Sequence, residues 1–116
     1  LGIGFKRAVS PRQMRCAAVD GQIEALMAWH PVKAGDFFYI PAGTVHAIGA
    51  GVSLIEIQQN SDITYRIYDY GRPRALHLND GIACAHGERY RDPRRCHLPA
   101  NGEVMLVDGP LFGLAF

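Results

Sequence analysis

Residues 36–70 alternate apolar and polar side chains in short runs that are separated by turns containing Pro, Gly or Asn. Aromatic and β-branched residues dominate these runs, which is typical of β-strands. The pattern predicts four strands, over residues 37–40, 44–48, 52–59 and 64–70. Short strands that recur with tight turns between them indicate a sandwich or a barrel.

Helix signals are confined to residues 10–30, before the strand region. Ser10 and Gln13 fit a capping box, which predicts a short helix over residues 11–19. A second short helix is expected over residues 20–30, where a His-Pro pair ends it because Pro disfavours helical backbone in the residue before it. Later strands are expected over three further stretches: residues 82–85, 103–107 and 111–116.

The composition narrows the classes of function. The chain has 116 residues, which allows one domain, and its net charge is +1. A nucleic-acid-binding protein normally carries a clear basic excess, and a membrane span needs about 20 consecutive apolar residues, so neither partner is expected. The three cysteines are odd in number and widely spaced, which predicts reduced thiols in a cytoplasmic protein.

Three polar residues of different chemistry fall within the strand region. His46 follows a Pro-x-Gly-x-x turn, Glu56 interrupts an apolar run, and Arg66 lies on the next predicted strand. If the strands over residues 52–59 and 64–70 pair as a hairpin, Glu56 and Arg66 can meet across the sheet. The residues alone leave two readings open. His46, Glu56 and Arg66 either line a polar cavity, or they are a core histidine and a solvated ion pair.

Three runs of consecutive residues are informative as exact sequences, beyond the spacing of their polar residues. They read GDFFYIPAGTVHAI at residues 35–48, EIQQNSD at residues 56–62 and YRIYDYGR at residues 65–72. Together they resemble the signature of the type I mannose-6-phosphate isomerases, which are zinc enzymes of the cupin superfamily. The resemblance is dense over residues 35–74 and faint after about residue 82.

The resemblance implies a mainly β fold, a cupin-type (jelly-roll) β-barrel with short helices near its N-terminus. Residues 1–116 would be one partial cupin domain, with the core barrel strands and the site within residues 36–70 and later strands within residues 82–116. The family's other zinc ligands, a Gln-x-His pair and a Glu, precede the matching region, and this chain contains no Gln-x-His. We therefore expect a fragment whose partner is the missing N-terminal half of the enzyme.

The resemblance also implies roles for individual residues. His46 corresponds to a zinc ligand, Arg66 to the catalytic arginine, and Glu56 and Asp62 to acidic residues in or beside the sugar pocket. The implied cofactor is zinc, and the implied substrate is a small sugar phosphate that is converted between an aldose and a ketose. The cations that could bind its phosphate are Lys33, Arg72 and Arg74, and the sequence does not discriminate among them.

Two alternatives stay open. One is the cupin half of a bifunctional mannose-phosphate isomerase and guanylyltransferase, which shares the Pro-x-Gly-x-x-His turn but lacks the run of residues 58–66 seen here. The other is a cupin that binds a sugar without converting it, because a fold alone does not fix a function.

Overall fold

A computed structural model describes residues 1–61, 63–91 and 94–116. In chain order its elements are β1 (Gly2–Phe5), α1 (Pro11–Val19), α2 (Ile23–Leu26), β2 (Met27–Trp29), β3 (Asp36–Phe37), β4 (His46–Ala47), α3 (Leu78–Cys84), β5 (Cys96–His97), β6 (Met105–Asp108) and β7 (Gly113–Ala115). Within these residues the strands form three small sheets and no closed barrel, so the cupin-type barrel stays a prediction. No helix in the described ranges has the length and apolar character needed to cross a membrane.

The central sheet has the order β2-β1-β4, with both pairings antiparallel. Ile3 pairs with His46, and Gly4 donates a backbone hydrogen bond of 2.8 Å to the carbonyl of Val45. Gly4 has a φ of +61°, and a Cβ there would lie 2.7 Å from the Cβ of Tyr90, so only glycine fits. Strand β1 thus fixes the strand that carries His46.

Helix α1 begins as its sequence predicts. The Ser10 Oγ accepts a hydrogen bond of 3.2 Å from the Gln13 backbone, and the Gln13 side chain accepts one of 2.9 Å from the Ser10 backbone. This reciprocal pair satisfies two N–H groups that would otherwise lack partners at the start of the helix. The helix runs over Pro11–Val19, which confirms the predicted bounds.

The core lies where α1, α3 and the central sheet meet. Phe5 and Met14 are its most deeply buried large side chains, and Ile23, Met27 and Ile82 pack in the same cluster. Burying a side chain of the size of Phe5 stabilises the folded state by about 1.5–3 kcal/mol. Because β1, α1 and α3 all contribute to this cluster, the core holds the first twenty residues against the segment that follows residue 77.

One predicted element is wrong in type, and the second predicted helix is shorter than expected. Residues 82–85 were expected to be a strand, but helix α3 covers Leu78–Cys84, because in that helix Ile82 reaches the core cluster beneath α1. The second helix ends at Leu26, and β2 takes over because its backbone pairs with β1 at Phe5↔Met27 and Gly2↔Trp29. The late hairpin of β6 (Met105–Asp108) and β7 (Gly113–Ala115) confirms the two predicted late strands, although β6 ends one residue beyond the predicted 103–107.

The predicted strands over residues 52–59 and 64–70 are absent, and only short parts of the two before them are paired. Strand β3 covers Asp36–Phe37 and β4 covers His46–Ala47. A strand needs a neighbour for its backbone N–H and C=O groups, and the described residues offer none to these two segments. The predicted hairpin that would place Glu56 opposite Arg66 is therefore not formed.

Candidate functional site

His46 is held by the turn that precedes it. Thr44 donates a backbone hydrogen bond of 3.1 Å to the carbonyl of Pro41, and Gly43 takes a φ of +81°, as a type II turn requires at its third position. The exposed His46 ring lies with Nδ1 3.0 Å from the carbonyl oxygen of Thr44. When Nδ1–H donates to that oxygen, the lone pair on Nε2 is left free for a metal ion or a proton.

The position of Arg66 is fixed by backbone hydrogen bonds to one residue, and not by strand pairing within a β-sheet. Its N–H donates a hydrogen bond of 3.2 Å to Nδ1 of His77, and its carbonyl accepts one of 2.7 Å from the His77 N–H. His77 immediately precedes α3, so the arginine is anchored to the start of that helix. The half-buried side chain of Arg66 also contributes positive charge at Asp69.

Asp69 is the most deeply buried charged residue among those described, with 5% of its surface exposed. Its carboxylate accepts hydrogen bonds from Arg72 Nη2 at 2.6 Å and from Arg74 Nη2 at 3.0 Å, and Arg74 Nε donates another. Tyr70 and Gly71 both have positive φ, which turns the chain so that both arginines reach back. The hydrogen bond from Arg74 is the main reason that the pKa of Asp69 lies below its ordinary value, and the three guanidinium charges add to it against the effect of burial.

A cavity of about 420 Å³ opens beside this cluster, next to the end of β4. Its lining comes from three parts of the chain: Glu24, Trp29, Ile48, Gly49, Ala50, Tyr70 and Arg72. The Arg72 guanidinium lies 5.5 Å from the centroid of the Tyr70 ring. Burial, followed by the negative charge of Glu24, raises the pKa of the Tyr70 hydroxyl. The lining thus combines two aromatic side chains, Trp29 and Tyr70, with one cation and one carboxylate, which suits a small polar ligand.

Three predicted site residues remain: Glu56, Lys33 and Asp62. Glu56 is exposed in a segment without secondary structure, Lys33 is exposed before β3, and Asp62 lies outside the described residues. The backbone N–H of His86, a residue that the sequence analysis does not single out, donates a hydrogen bond of 2.8 Å to the carbonyl of Gly43, in the turn that leads to His46. Residues 1–61, 63–91 and 94–116 contain no group of three His, Cys, Asp or Glu side chains that could hold a metal ion.

Sequence reasoning missed Asp69 and His77. A signal for Asp69 is present, because it precedes a Tyr-Gly turn with arginines three and five positions later. That spacing lets a reversed chain bring two guanidinium groups to one carboxylate. His77 gives no such signal, because its partner Arg66 is 11 residues away and the contact depends on where α3 begins.

Acidification tests the Asp69 cluster. A carboxylate whose pKa is lowered in the folded state stabilises that state above its unfolded pKa of about 3.9, and the stabilisation is lost as pH falls through the lower, folded value. We expect Asp69→Asn to lower the free energy of unfolding at pH 7 and to differ less from the parent chain at pH 3. Urea unfolding at both pH values measures this difference. The exposed Asp108→Asn serves as the control, and an Asp69→Asn deficit that stays constant with pH would contradict the assignment.

Comparison with known proteins finds relatives that are named mannose-6-phosphate isomerases. It is 48% identical over 81 residues to mannose-6-phosphate isomerase of Streptococcus mutans serotype c, and the match covers 65% of this chain and 26% of that relative. It is 53% identical over 81 residues to mannose-6-phosphate isomerase ManA of Bacillus subtilis strain 168, with the same two shares. No family model matches the chain. No solved structure matches it either.

The matched region is long enough, and its identity high enough, to indicate that this chain is related to these proteins. The chain spans about a quarter of the length of these curated relatives. The identity covers about two thirds of this chain, which is far more than one turn or one strand. This chain is a partial relative of the mannose-6-phosphate isomerases.

Proposed function

We propose that this chain supplies part of the active site of an enzyme that interconverts mannose 6-phosphate and fructose 6-phosphate. The observation that carries the proposal is the 48% and 53% identity to two proteins named mannose-6-phosphate isomerase. The cupin-type barrel belongs to the same proposal, and it would be completed by the parts of the enzyme that this chain does not cover. Arg72 lines the cavity next to the end of β4, the strand that carries His46, whereas neither His46 nor Arg66 lines it.

The reaction requires a proton to move between C1 and C2 of the open-chain sugar. Removing it gives an enediolate, in which negative charge develops on two adjacent oxygens. A guanidinium stabilises such charge well, because it stays protonated and offers several N–H donors in one plane. In this proposal Arg66 is the residue that does so, and its backbone, held on both sides by His77, gives the side chain a fixed origin.

Zinc enters the proposal through His46. With Nδ1 turned to the Thr44 carbonyl, Nε2 can supply one ligand. A catalytic zinc site takes about three protein ligands, and the described residues hold no group of three, so the other ligands would come from the rest of the enzyme. Bound zinc would polarise the sugar carbonyl as a Lewis acid.

Arg72 is the best-placed cation for the phosphate group. It lines the cavity beside β4, whereas neither Lys33 nor Arg74 does. Three arginines, Arg66, Arg72 and Arg74, contribute positive charge around the single carboxylate of Asp69, so the cluster keeps an excess of positive charge. In the same proposal, Glu56 and Asp62 would position sugar hydroxyls.

A chimera provides the test. It carries the 116 residues of this chain in place of the matched 81-residue region of Bacillus subtilis ManA. We expect the purified chimera with zinc to convert mannose 6-phosphate to fructose 6-phosphate and, in deuterated water, to incorporate deuterium at C1 or C2. ManA itself is the positive control. A folded, zinc-containing chimera that binds fructose 6-phosphate without converting it would refute the isomerase proposal and favour a sugar-binding cupin.

A further inference from the structure

Residues 94–98, here called the strap, pack along residues 35–39, which lead to the turn before His46. Within the strap, β5 pairs antiparallel with β3. The Leu98 N–H then donates a hydrogen bond of 2.7 Å to the carbonyl of Gly35. The amide of Leu98 therefore reports whether the strap is in place.

The two arginines of the strap lie over aromatic rings. The guanidinium carbon of Arg94 is 3.7 Å from the centroid of the Tyr39 ring, and that of Arg95 is 4.6 Å from the centroid of the Phe38 ring. A cation in this position is attracted to the face of the ring. Arg95 Nη1 also lies 3.2 Å from Nδ1 of His30, whose ring is 6.4 Å from that of Phe38. His30, Phe38 and Arg95 thus form one contact cluster.

The contact between Arg95 and His30 requires a neutral imidazole. A guanidinium has only donors, so Nδ1 of His30 must be the acceptor, with the ring proton on Nε2. A second proton on Nδ1 would set donor against donor and place two positive charges side by side. The half-buried His30 ring would also carry its new charge partly away from water. Protonation of His30 therefore breaks this contact.

The groups around His30 decide the direction of its pKa. Burial is the main reason that the pKa of His30 lies below its ordinary value of 6.5, and the positive charge of Arg95 follows. The amino group of Leu1 acts in the same direction, a backbone hydrogen bond with Ile3 opposes it, and the Tyr90 ring faces the imidazole edge-on. A histidine whose pKa is lowered by folding stabilises the folded state above about pH 6.5, and this stabilisation is lost as pH falls through the lower, folded value.

A second pair on the strap responds to acid in the opposite sense. His97 Nδ1 lies 3.0 Å from a carboxylate oxygen of Asp36, and the Lys33 backbone N–H donates a hydrogen bond of 3.0 Å to the other oxygen. The hydrogen bond from His97 is the main reason that the pKa of Asp36 lies below its ordinary value. A protonated His97 would bind this carboxylate more strongly. Acid thus strengthens the contact at Asp36 while it breaks the contact at His30.

We propose that His30 and Arg95 form a pH-sensitive latch, which holds the strap on Phe38 while His30 is neutral and releases it when His30 is protonated. Release would loosen β5 from β3, the two strands of that sheet. The latch is independent of the proposed function, because its three residues neither line the cavity beside β4 nor bind the Asp69 carboxylate.

Residue-resolved amide hydrogen exchange of the 116-residue chain tests the latch. After correction for the intrinsic exchange rate, we expect protection of the Leu98 amide to fall at least about threefold between pH 7.5 and pH 5. His30→Asn keeps an acceptor oxygen near the place of Nδ1 and gains no proton, so its protection should hold or rise at pH 5. His97→Ala removes the opposing contact and should make the fall steeper. Arg94→Ala removes the neighbouring arginine as a matched control and should keep the fall.

A second measurement does not depend on the stability of the strap. Arg95→Gln removes the positive charge and keeps a donor, so the pKa of His30, followed by NMR of its ring protons, should rise toward its ordinary value. The latch is wrong if Leu98 protection does not fall in the parent, if His30→Asn falls as much as the parent, or if Arg95→Gln leaves the titration of His30 unchanged. None of these measurements involves turnover, so their failure leaves the isomerase proposal standing.

Discussion

Replacing Arg66 by alanine in the ManA chimera is expected to lower turnover of mannose 6-phosphate by about a hundredfold or more, with zinc content unchanged. Loss of one preorganised donor to a developing oxyanion has a cost of this size. The backbone contacts with His77 do not involve the Arg66 side chain, so the substitution should leave the fold intact. Steady-state kinetics with metal analysis measures both quantities.

Two further variants separate charge from geometry at this position. Arg66→Lys keeps a cation but loses the planar fork of donors, so its turnover should lie between the parent and Arg66→Ala. Arg89 is an exposed arginine that follows α3 in the chain, and Arg89→Ala should leave turnover within about twofold of the parent chimera. Near-normal turnover of Arg66→Ala would show that another cation performs this task.

Local signals account for the parts of the fold that the sequence predicts well. The capping box at Ser10 and Gln13 defines α1 because both hydrogen bonds join residues three positions apart. The hairpin of β6 and β7 is equally local, because a turn of a few residues sets its register. In both cases the residues that stabilise the element are its own neighbours in sequence.

The predicted strand over residues 52–59 shows why strand patterns are weaker predictors. Its alternation is real, but a strand forms only when another strand supplies hydrogen-bond partners, and the described residues supply none to this segment. Helix α3 shows the reverse error. A short apolar run fits a strand or a buried helix equally, and contact of Ile82 with the core decides for the helix.

The candidate site divides in the same way. The sequence selects His46 and Arg66 by type and by resemblance, but the contacts that hold Arg66 to His77 bridge 11 residues and could not be read from spacing. Asp69 could have been found, because its two arginine partners follow within five residues around a glycine turn. A buried charge whose partners are near in sequence can thus be predicted from the sequence. The position of a residue that is held by a distant helix cannot.

Replacing His46 by alanine is expected to weaken zinc binding to the ManA chimera by more than about a hundredfold. Loss of a residue that merely orients a metal ligand costs 10–100-fold in affinity, and loss of a ligand should cost at least as much. The exposed ring of His46 makes little contribution to the core, so the fold should survive the change. Competition with a zinc chelator of known affinity measures the constant without reference to turnover.

His97→Ala provides the matched control for this experiment. His97 lies on β5, where its Nδ1 is 3.0 Å from a carboxylate oxygen of Asp36, and β5 belongs to a different sheet from the strand that carries His46. Removing it should lower stability somewhat and leave zinc affinity unchanged. Equal zinc affinity in the parent and in His46→Ala would mean that the free Nε2 of His46 binds no metal.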